Sequence, residues 1–415
     1  MNSAPMCQRG NCVSAWLSVD ERRRYGVPSP VNPTVLADEN IPAAEEYFGS
    51  YAVIRRAPGR TLERAQLDGV DILLVRSVTR VDEALLGGTS VKFVGTATSG
   101  FDHIDREYLR RSGIGFAHAP GSNANSVVEY VLAAIASEGD KLEQLLGGGT
   151  FGVVGYGVIG KAVVARFTAL GIQCRVYDPW LEQSTIPDAA GLDTVLECDV
   201  VSLHAQLTRE QPWPSYHLLG RRELRRLRPG TLLINASRGP VVNNAALLEY
   251  LETQSGVRTV LDVWEGEPVV CPALLAQVML GTAHIAGYSW DSKLQATRML
   301  SEAVCRYLLL APPSSSARTG GAPPIHVADN LSRAGLLRHL VQARYDIHLD
   351  DALLRQAVAD ATEGPASATG FDLLRKSYRI RRELAGSTVT GLHLPEHIAL
   401  AQALGCSTAA VSDAE

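Results

Sequence analysis

Residues 151–160 read Phe-Gly-Val-Val-Gly-Tyr-Gly-Val-Ile-Gly, an apolar run that ends in a glycine-rich turn, and their reading decides the fold. Phe151 to Val154 predicts a buried strand. Lys161 to Leu170, with apolar Val163, Val164, Phe167 and Leu170, predicts the helix that follows. Gly155 permits the tight turn, Gly157 lets the backbone approach a pyrophosphate, and Gly160 lets helix and strand pack closely. The start of the helix offers unpaired N–H donors and positive potential to the same phosphates. Three spaced glycines alone are a weak signal; between a strand and a helix they predict a dinucleotide site.

Outward from this turn the alternation continues. Ile172–Tyr177, Val200–Leu203, Thr231–Ile234, Thr259–Val263 and Val278–Leu280 are further apolar runs separated by helix-compatible segments, which makes six strands in all. Upstream, Val35–Ala37, Tyr51–Ile54, Asp71–Val75, Lys92–Thr96 and Ile114–Ala117 form a second series. Ser122 to Ala136 reads as a long helix opened by Ser and Asn, with Val127, Val131 and Ile135 on its apolar face. The expected class is therefore α/β, with two doubly wound parallel-sheet domains. Trp290–Leu310 reads as a helix returning to the first of them.

The 415 residues suggest about two or three domains at roughly 150 residues each. Residues 1–33 show no sustained period and are expected to be a disordered extension. Residues 34–124, completed by 285–310, are assigned to a substrate domain and 125–284 to a Rossmann dinucleotide domain. The Pro-, Ser- and Gly-rich stretch at 311–325 is a linker. Amphipathic helices are predicted over Leu331–Asp360 and Phe371–Leu384, within a small domain at 326–390 that precedes a tail at 391–415.

A net charge of -5 supplies no basic field for nucleic acid or an anionic membrane surface. No apolar run reaches the roughly 18 residues of a membrane span, and the N-terminus lacks a signal pattern. The run Arg221-Arg-Glu-Leu-Arg-Arg-Leu-Arg228 reads as a solvated helix face with Leu224 and Leu227 turned inward. Seven scattered cysteines without a CxxC pair argue against a disulfide framework or a metal site and fit reduced thiols in a cytoplasmic protein.

Four further positions carry chemistry. Asp178 ends the strand after the glycine turn, eighteen residues past Gly160, where a carboxylate accepts both ribose hydroxyls and repels a 2′-phosphate, so NAD is expected over NADP. Arg238, in Asn235-Ala-Ser-Arg-Gly239, follows a strand and can hold a carboxylate in two parallel hydrogen bonds. His284, in Gly281-Thr-Ala-His-Ile-Ala-Gly287, can take a hydroxyl proton. A glutamate from Leu261-Asp-Val-Trp-Glu-Gly-Glu-Pro268 can orient it, and spacing alone does not separate Glu265 from Glu267. Together they suit oxidation of a 2-hydroxy acid.

These motifs, with Ala37-Asp-Glu-Asn-Ile-Pro42, Leu74-Val-Arg-Ser-Val-Thr79, Phe93-Val-Gly-Thr-Ala-Thr-Ser-Gly-Phe-Asp-His-Ile-Asp105 and His284-Ile-Ala-Gly-Tyr288, resemble the D-isomer-specific 2-hydroxyacid dehydrogenases over residues 35 to about 310. Within that family they are closest to the branch that oxidises 4-phospho-D-erythronate in pyridoxal 5′-phosphate biosynthesis. The resemblance implies Arg238, Glu267 and His284 as catalytic residues, which selects Glu267 over Glu265. It implies substrate contacts from Ser77, Thr98 and Tyr288. Cofactor contacts are implied at Val158, Ile159, Asp178, Ala236, Ser237, Asp262 and Gly287, beside the glycines 155, 157 and 160. Arg76 and Arg80 lie near enough to Ser77 in sequence to join it at a distal phosphate. One departure stands out: where the family commonly has His-Thr-Pro-Leu, this chain has His204-Ala-Gln-Leu207, and the lost hydroxyl at Ala205 is expected to alter cofactor affinity.

Ala343-Arg-Tyr-Asp-Ile-His-Leu-Asp-Asp-Ala-Leu-Leu-Arg355 and Gly370-Phe-Asp-Leu-Leu-Arg-Lys-Ser-Tyr378 resemble the C-terminal α+β dimerisation domain of that branch, which implies a homodimer. The motifs also admit two other readings: a sibling dehydrogenase for 3-phosphoglycerate or hydroxypyruvate, and an NAD(H)-binding interaction protein resembling a corepressor.

Overall fold

A computed structural model describes residues 32–253, 256–311, 322–328, 331–360 and 365–409, apart from the side chains of 365–368. The expected extension at 1–33, but for its last two residues, and most of the linker at 311–325 lie outside them. The chain divides into two compact units: one runs to Ser122 and resumes at Lys293, and the other spans Asn123–Ser292 together with the C-terminal residues.

In the first unit, β1 (Thr34–Asp38), β2 (Val53–Ala57), β3 (Ile72–Val75), β4 (Phe93–Thr96) and β5 (Gly115–His118) form a parallel sheet in the order β2-β1-β3-β4-β5. The central β3 and β4 are buried throughout, as continuous apolar runs demand when both faces are covered. β2 corrects the expected Tyr51–Ile54. It starts two residues later and includes Arg55 and Arg56, because Val53 pairs with Thr34 and the strand is an exposed edge where charges are tolerated.

In the second unit, β6 (Thr150–Val154), β7 (Gln173–Tyr177), β8 (Val200–Leu203), β9 (Leu232–Asn235), β10 (Arg258–Leu261) and β11 (Leu280–Gly281) pair in parallel in the order β11-β10-β9-β8-β6-β7. An isolated bridge from Val176 to Ala189 extends the sheet beyond β7, where a Rossmann sheet has its third strand. The register makes the carboxyl ends level: Tyr177 lies beside Val154, then Leu203, Asn235, Leu261 and Gly281 in turn. Gly155, Asp178, His204, Ala236, Asp262 and Thr282 are thus the first residues beyond one sheet edge. That edge, at the reversal of strand order between β6 and β8, is where open α/β sheets bind ligands.

Helix α1 (Ala124–Ala136) covers this sheet with Val127, Val128, Val131, Leu132 and Ile135, and α2 (Val158–Ala169) leaves the glycine turn. α2 begins at Val158, three residues before the expected Lys161, so Gly160 sits inside its first turn. Phe167 on α2 stacks on Phe151 of β6 at 4.3 Å, and full burial of each such side chain contributes about 1.5–3 kcal/mol. α3 (Trp290–Leu308) ends two residues before the predicted limit.

The C-terminal residues are part of the second unit, and their packing corrects several expectations. The single span expected over Leu331–Asp360 is two helices, α4 (Arg333–Gln342) and α5 (Ile347–Ala359), capped by the Ser332 and Asp346 side chains. α6 (Pro365–Lys376) ends well before Leu384, because Arg381 and Glu383 are drawn into the interior as irregular chain. The expected tail at 391–415 contains α7 (Pro395–Ala403), with proline at the helix start, and a strand. β12 (Ile325–His326), β13 (Thr388–Thr390) and β14 (Ser407–Thr408) make a small parallel sheet, so the expected boundary at 390 cuts through one structure. α4 joins the core on one face of the dinucleotide sheet through Leu336, Leu337 and Leu340, whereas Leu354 and Phe371 join the core on the other.

A Cβ built on Gly160 would overlap the Gly155 carbonyl oxygen, so the third glycine is a packing requirement. Gly160→Ala is expected to destabilise the second unit by about 1–3 kcal/mol through forced backbone displacement. Thermal unfolding with and without NADH checks this, and an unchanged melting temperature would show that the turn absorbs the methyl.

Candidate active site

At the glycine turn, Gly155 has φ of +94° and its hypothetical Cβ would lie 2.6 Å from the Ala205 nitrogen, so the β6 and β8 ends come together only because the residue is glycine. Gly157 instead faces open space, α2 has no side-chain N-cap, and Val158 is 53% exposed at the helix start. Open backbone with uncapped N–H donors fits a pyrophosphate. Ile159 is half-buried behind it. Asp178, one residue past β7, accepts N–H donors from Tyr156 at 2.8 Å and Trp180 at 3.0 Å, which fixes its carboxylate beside the turn. His204 sits at the end of β8, shares a hydrogen bond with Ser202 Oγ at 2.9 Å, and is driven by burial to a pKa of about 3. Burial thus favours its neutral form, and its Nδ1 has no hydrogen-bond partner among the described residues.

Beyond β9, Asn235 shapes the next turn: its Oδ1 accepts the Ser237 N–H and hydroxyl, and its Nδ2 donates to the Arg238 carbonyl. Ala236 is half-buried. Arg238 Nη1 donates back to the Ser237 carbonyl at 2.8 Å, which folds the guanidinium over its own turn.

Asp262, expected among the cofactor contacts, uses both oxygens inside the protein. Oδ1 accepts the Thr282 hydroxyl at 2.7 Å and the Ile285 N–H at 2.7 Å, and Oδ2 accepts the Ala286 N–H at 2.9 Å. Burial raises its carboxyl above the usual range, against the lowering pull of His284 and these donors. The His284 N–H donates to the Asp262 carbonyl at 2.7 Å. Asp262 therefore holds the loop that carries His284.

His284 occupies the left-handed region at φ +54°, an uncommon backbone for histidine that the Asp262 hydrogen bonds impose. Its Nδ1 meets Glu267 Oε1 at 2.6 Å, and Glu267 Oε2 accepts the Trp264 N–H at 3.2 Å. Burial pushes the Glu267 carboxyl up, but His284, the Trp264 N–H and the Arg375 guanidinium hold it below the ordinary carboxylate value. An ionised Glu267 places the imidazole proton on Nδ1 and leaves Nε2 as a base.

Glu265, the competitor in sequence, is engaged elsewhere. Its Oε1 meets His217 Nε2 at 2.6 Å and its Oε2 accepts the Asn244 N–H at 3.1 Å. This second Glu–His pair was invisible in sequence, since nothing near His217 marks it.

Gly287 follows where a Cβ would strike the Asn123 side chain. Tyr288 Oη accepts a hydrogen bond from Arg375 Nη2 at 2.9 Å, and its ring meets Tyr378 edge-on at 5.9 Å. The sequence reading did not place Arg375 at the site, because the stretch that carries it, Gly370–Tyr378, resembles the C-terminal domain and not the catalytic motifs. In the first unit, Ser77 is exposed, and Thr98 Oγ1 donates to the Gly100 carbonyl at 2.7 Å. Arg76 and Arg80 are engaged by Asp38 at 3.7 Å and Asp82 at 2.9 Å.

The family model described as "D-isomer specific 2-hydroxyacid dehydrogenase, NAD binding domain" matches residues 125–286, and a domain of unknown function matches 322–405. An erythronate-4-phosphate dehydrogenase of Cellvibrio japonicus is 45% identical over 357 residues, which cover 84% of this chain and 92% of that one. That of Stutzerimonas stutzeri is 45% identical over 359 residues, covering 86% and 94%. Among solved structures, an Entamoeba histolytica 3-phosphoglycerate dehydrogenase with NAD+ aligns with TM-score 0.57 at 21% identity over 67% of this chain and 96% of that one. The D-lactate dehydrogenase of Aquifex aeolicus with NAD and lactic acid gives 0.54 at 23%, over 66% and 95%. At such identities the structures speak for the fold. No described helix is long and apolar enough to cross a membrane.

NAD is the cofactor, and the open turn with Asp178 beside it fits its pyrophosphate and ribose. Asp178→Ala is expected to lower the preference for NAD over NADP by about tenfold or more, because it removes the repulsion of a 2′-phosphate. Steady-state kinetics with both cofactors measures this; an unchanged ratio would place discrimination elsewhere.

Proposed function

The chain belongs to the D-isomer specific 2-hydroxyacid dehydrogenases, in their erythronate-4-phosphate dehydrogenase family, and from that premise we propose that it oxidises 4-phospho-D-erythronate to 2-oxo-3-hydroxy-4-phosphobutanoate with NAD, a step of pyridoxal 5′-phosphate biosynthesis. The observation that carries the chemistry is the Glu267–His284 pair at the carboxyl edge of the dinucleotide sheet.

In this reading Arg238 holds the C1 carboxylate in charge-assisted hydrogen bonds, and Ser77, Thr98 and Tyr288 contact the remainder of the substrate. His284 Nε2 takes the C2 hydroxyl proton while the C2–H bonding pair leaves as hydride and the C2=O bond forms. Glu267, kept ionised, holds the Nδ1 proton and stabilises the imidazolium that results. Bound NAD supplies the hydride acceptor. Gly155, Gly157, Val158, Ile159, Gly160, Asp178, Ala236, Ser237, Asp262 and Gly287 are proposed to line its site.

The protein is further proposed to act in the cytoplasm as a homodimer through its C-terminal helices. Leu349 and Leu353, one turn apart on α5, and Leu373, on the neighbouring α6, are 43%, 41% and 58% exposed. Such exposed leucines on two packed helices fit a second copy of the chain.

Nicotinamide absorbance with NAD and 4-phospho-D-erythronate, beside 3-phosphoglycerate, D-glycerate and D-lactate, tests the activity. The expected result is clear preference for the first acid, with His284→Ala slowing turnover about 10²–10⁴-fold while NADH still binds. Bound NAD without turnover of any acid would overturn the reading in favour of a binding protein. For the assembly, light scattering should give twice the chain mass, and Leu353→Asp with Leu373→Asp should halve it. A wild-type monomer would remove the dimer; an undiminished double variant would remove this surface.

A further inference from the structure

Arg375 closes the last turn of α6 beside a residue proposed to touch substrate. Its guanidinium carbon lies 5.4 Å from the Tyr288 ring centre and 6.0 Å from that of Phe371, while Nη2 donates to the Tyr288 hydroxyl. Among the described residues its buried Nε has no hydrogen-bond partner. Neighbouring arginines of the C-terminal segment behave differently: Arg355 pairs with Asp351, and Arg379 with Asp350. No carboxylate lies within ion-pair distance of Arg375 among the described residues. Burial works against its charge, which Tyr288 and Glu267 nearby sustain.

A desolvated guanidinium with an unused donor and no ion pair is costly unless an anion completes it. The substrate proposed above has two anionic ends. Its carboxylate is bonded to the reacting C2 and is assigned to Arg238, which leaves the phosphate. The two arginines beside Ser77 already face Asp38 and Asp82. Resting on that functional reading, we propose that Arg375 binds the distal phosphate, so that the C-terminal segment supplies selectivity for a phosphorylated 2-hydroxy acid. Tyr288 holds the guanidinium fork in place, and the phosphate accepts from the Nε–H and the remaining Nη–H donors.

The test compares the full-length protein with Arg375→Met, which keeps much of the apolar stem, and Arg375→Lys, which keeps the charge. The readouts are kcat and KM for 4-phospho-D-erythronate and D-erythronate, inhibition by inorganic phosphate, and NADH binding by fluorescence. For Arg375→Met, KM for the phosphorylated acid and the inhibition constant of inorganic phosphate should both rise by about 30-fold or more. NADH affinity should stay within about twofold, kcat/KM for D-erythronate should fall much less than that for the phosphorylated acid, and Arg375→Lys should recover part of the loss. Equal losses on both acids with unchanged phosphate inhibition would overturn the proposal, leaving Arg375 as a support for Tyr288. No change on either would remove it from the site. Failure of the functional reading would show separately, as a wild-type protein inert towards 4-phospho-D-erythronate. In that event calorimetric titration of inorganic phosphate into the NADH-loaded protein still decides: weakened binding to Arg375→Met supports the anion site, and equal binding overturns it.

Discussion

The buried carboxylate of Asp262 is the interaction on which the candidate site depends. Removing a carboxylate from water costs several kcal/mol unless donors replace the lost hydration. Here the Thr282 hydroxyl and the N–H groups of Ile285 and Ala286 do so. These three donors come from one short loop, so satisfying the charge fixes the loop. Tyr130 shares a hydrogen bond with the Thr282 hydroxyl at 2.8 Å, and Trp264 Nε1 donates to the Thr282 carbonyl at 2.9 Å, which anchors the same loop to helix α1 and to the segment bearing Glu267. Positive φ at His284 follows from this tethering, and with it the 2.6 Å approach to Glu267. The geometry needed for proton transfer is thus built around a buried carboxylate that holds the His284 loop.

A second constraint comes from the C-terminal residues. The edge strand β11 is only two residues long, and Asp351 of α5 accepts the Gly281 N–H at 2.7 Å. Arg355 covers the preceding turn by donating to the carbonyls of Leu275 and Val278. An open sheet edge is thereby closed by a helix. On the other side, Arg381 donates to the Ser126 and Ala286 carbonyls, and Glu129 accepts the Leu384 and Ala385 N–H groups. Burial and the neighbouring Glu383 push the Glu129 carboxyl well above its ordinary value. Such buried polar contacts tie the segment after α6 to helix α1 and to the loop next to His284. The C-terminal helices are thus part of the scaffold that holds the site, as well as the source of the exposed leucines.

The sequence by itself determined the two parallel sheets. Their strands are continuous apolar runs bounded by turn residues, and their chemistry-bearing residues follow directly after strands, where the parallel register brings them to one edge. Gly155, Asp178, Arg238 and His284 were legible for that reason. Spacing could not choose between Glu265 and Glu267, because both lie in one loop and each finds a histidine; only the three-dimensional course of the chain sends one to His217 and the other to His284. The tertiary structure also decided that Asp262 is a loop anchor, that α6 stops at Lys376, and that the residues beyond 390 form α7 and the last strand of the small sheet. It alone brought Arg375 to Tyr288, 87 residues away along the chain. Local pattern records which face of a strand or helix is apolar; partners for buried charges are recruited across long sequence distances, and no periodicity encodes them.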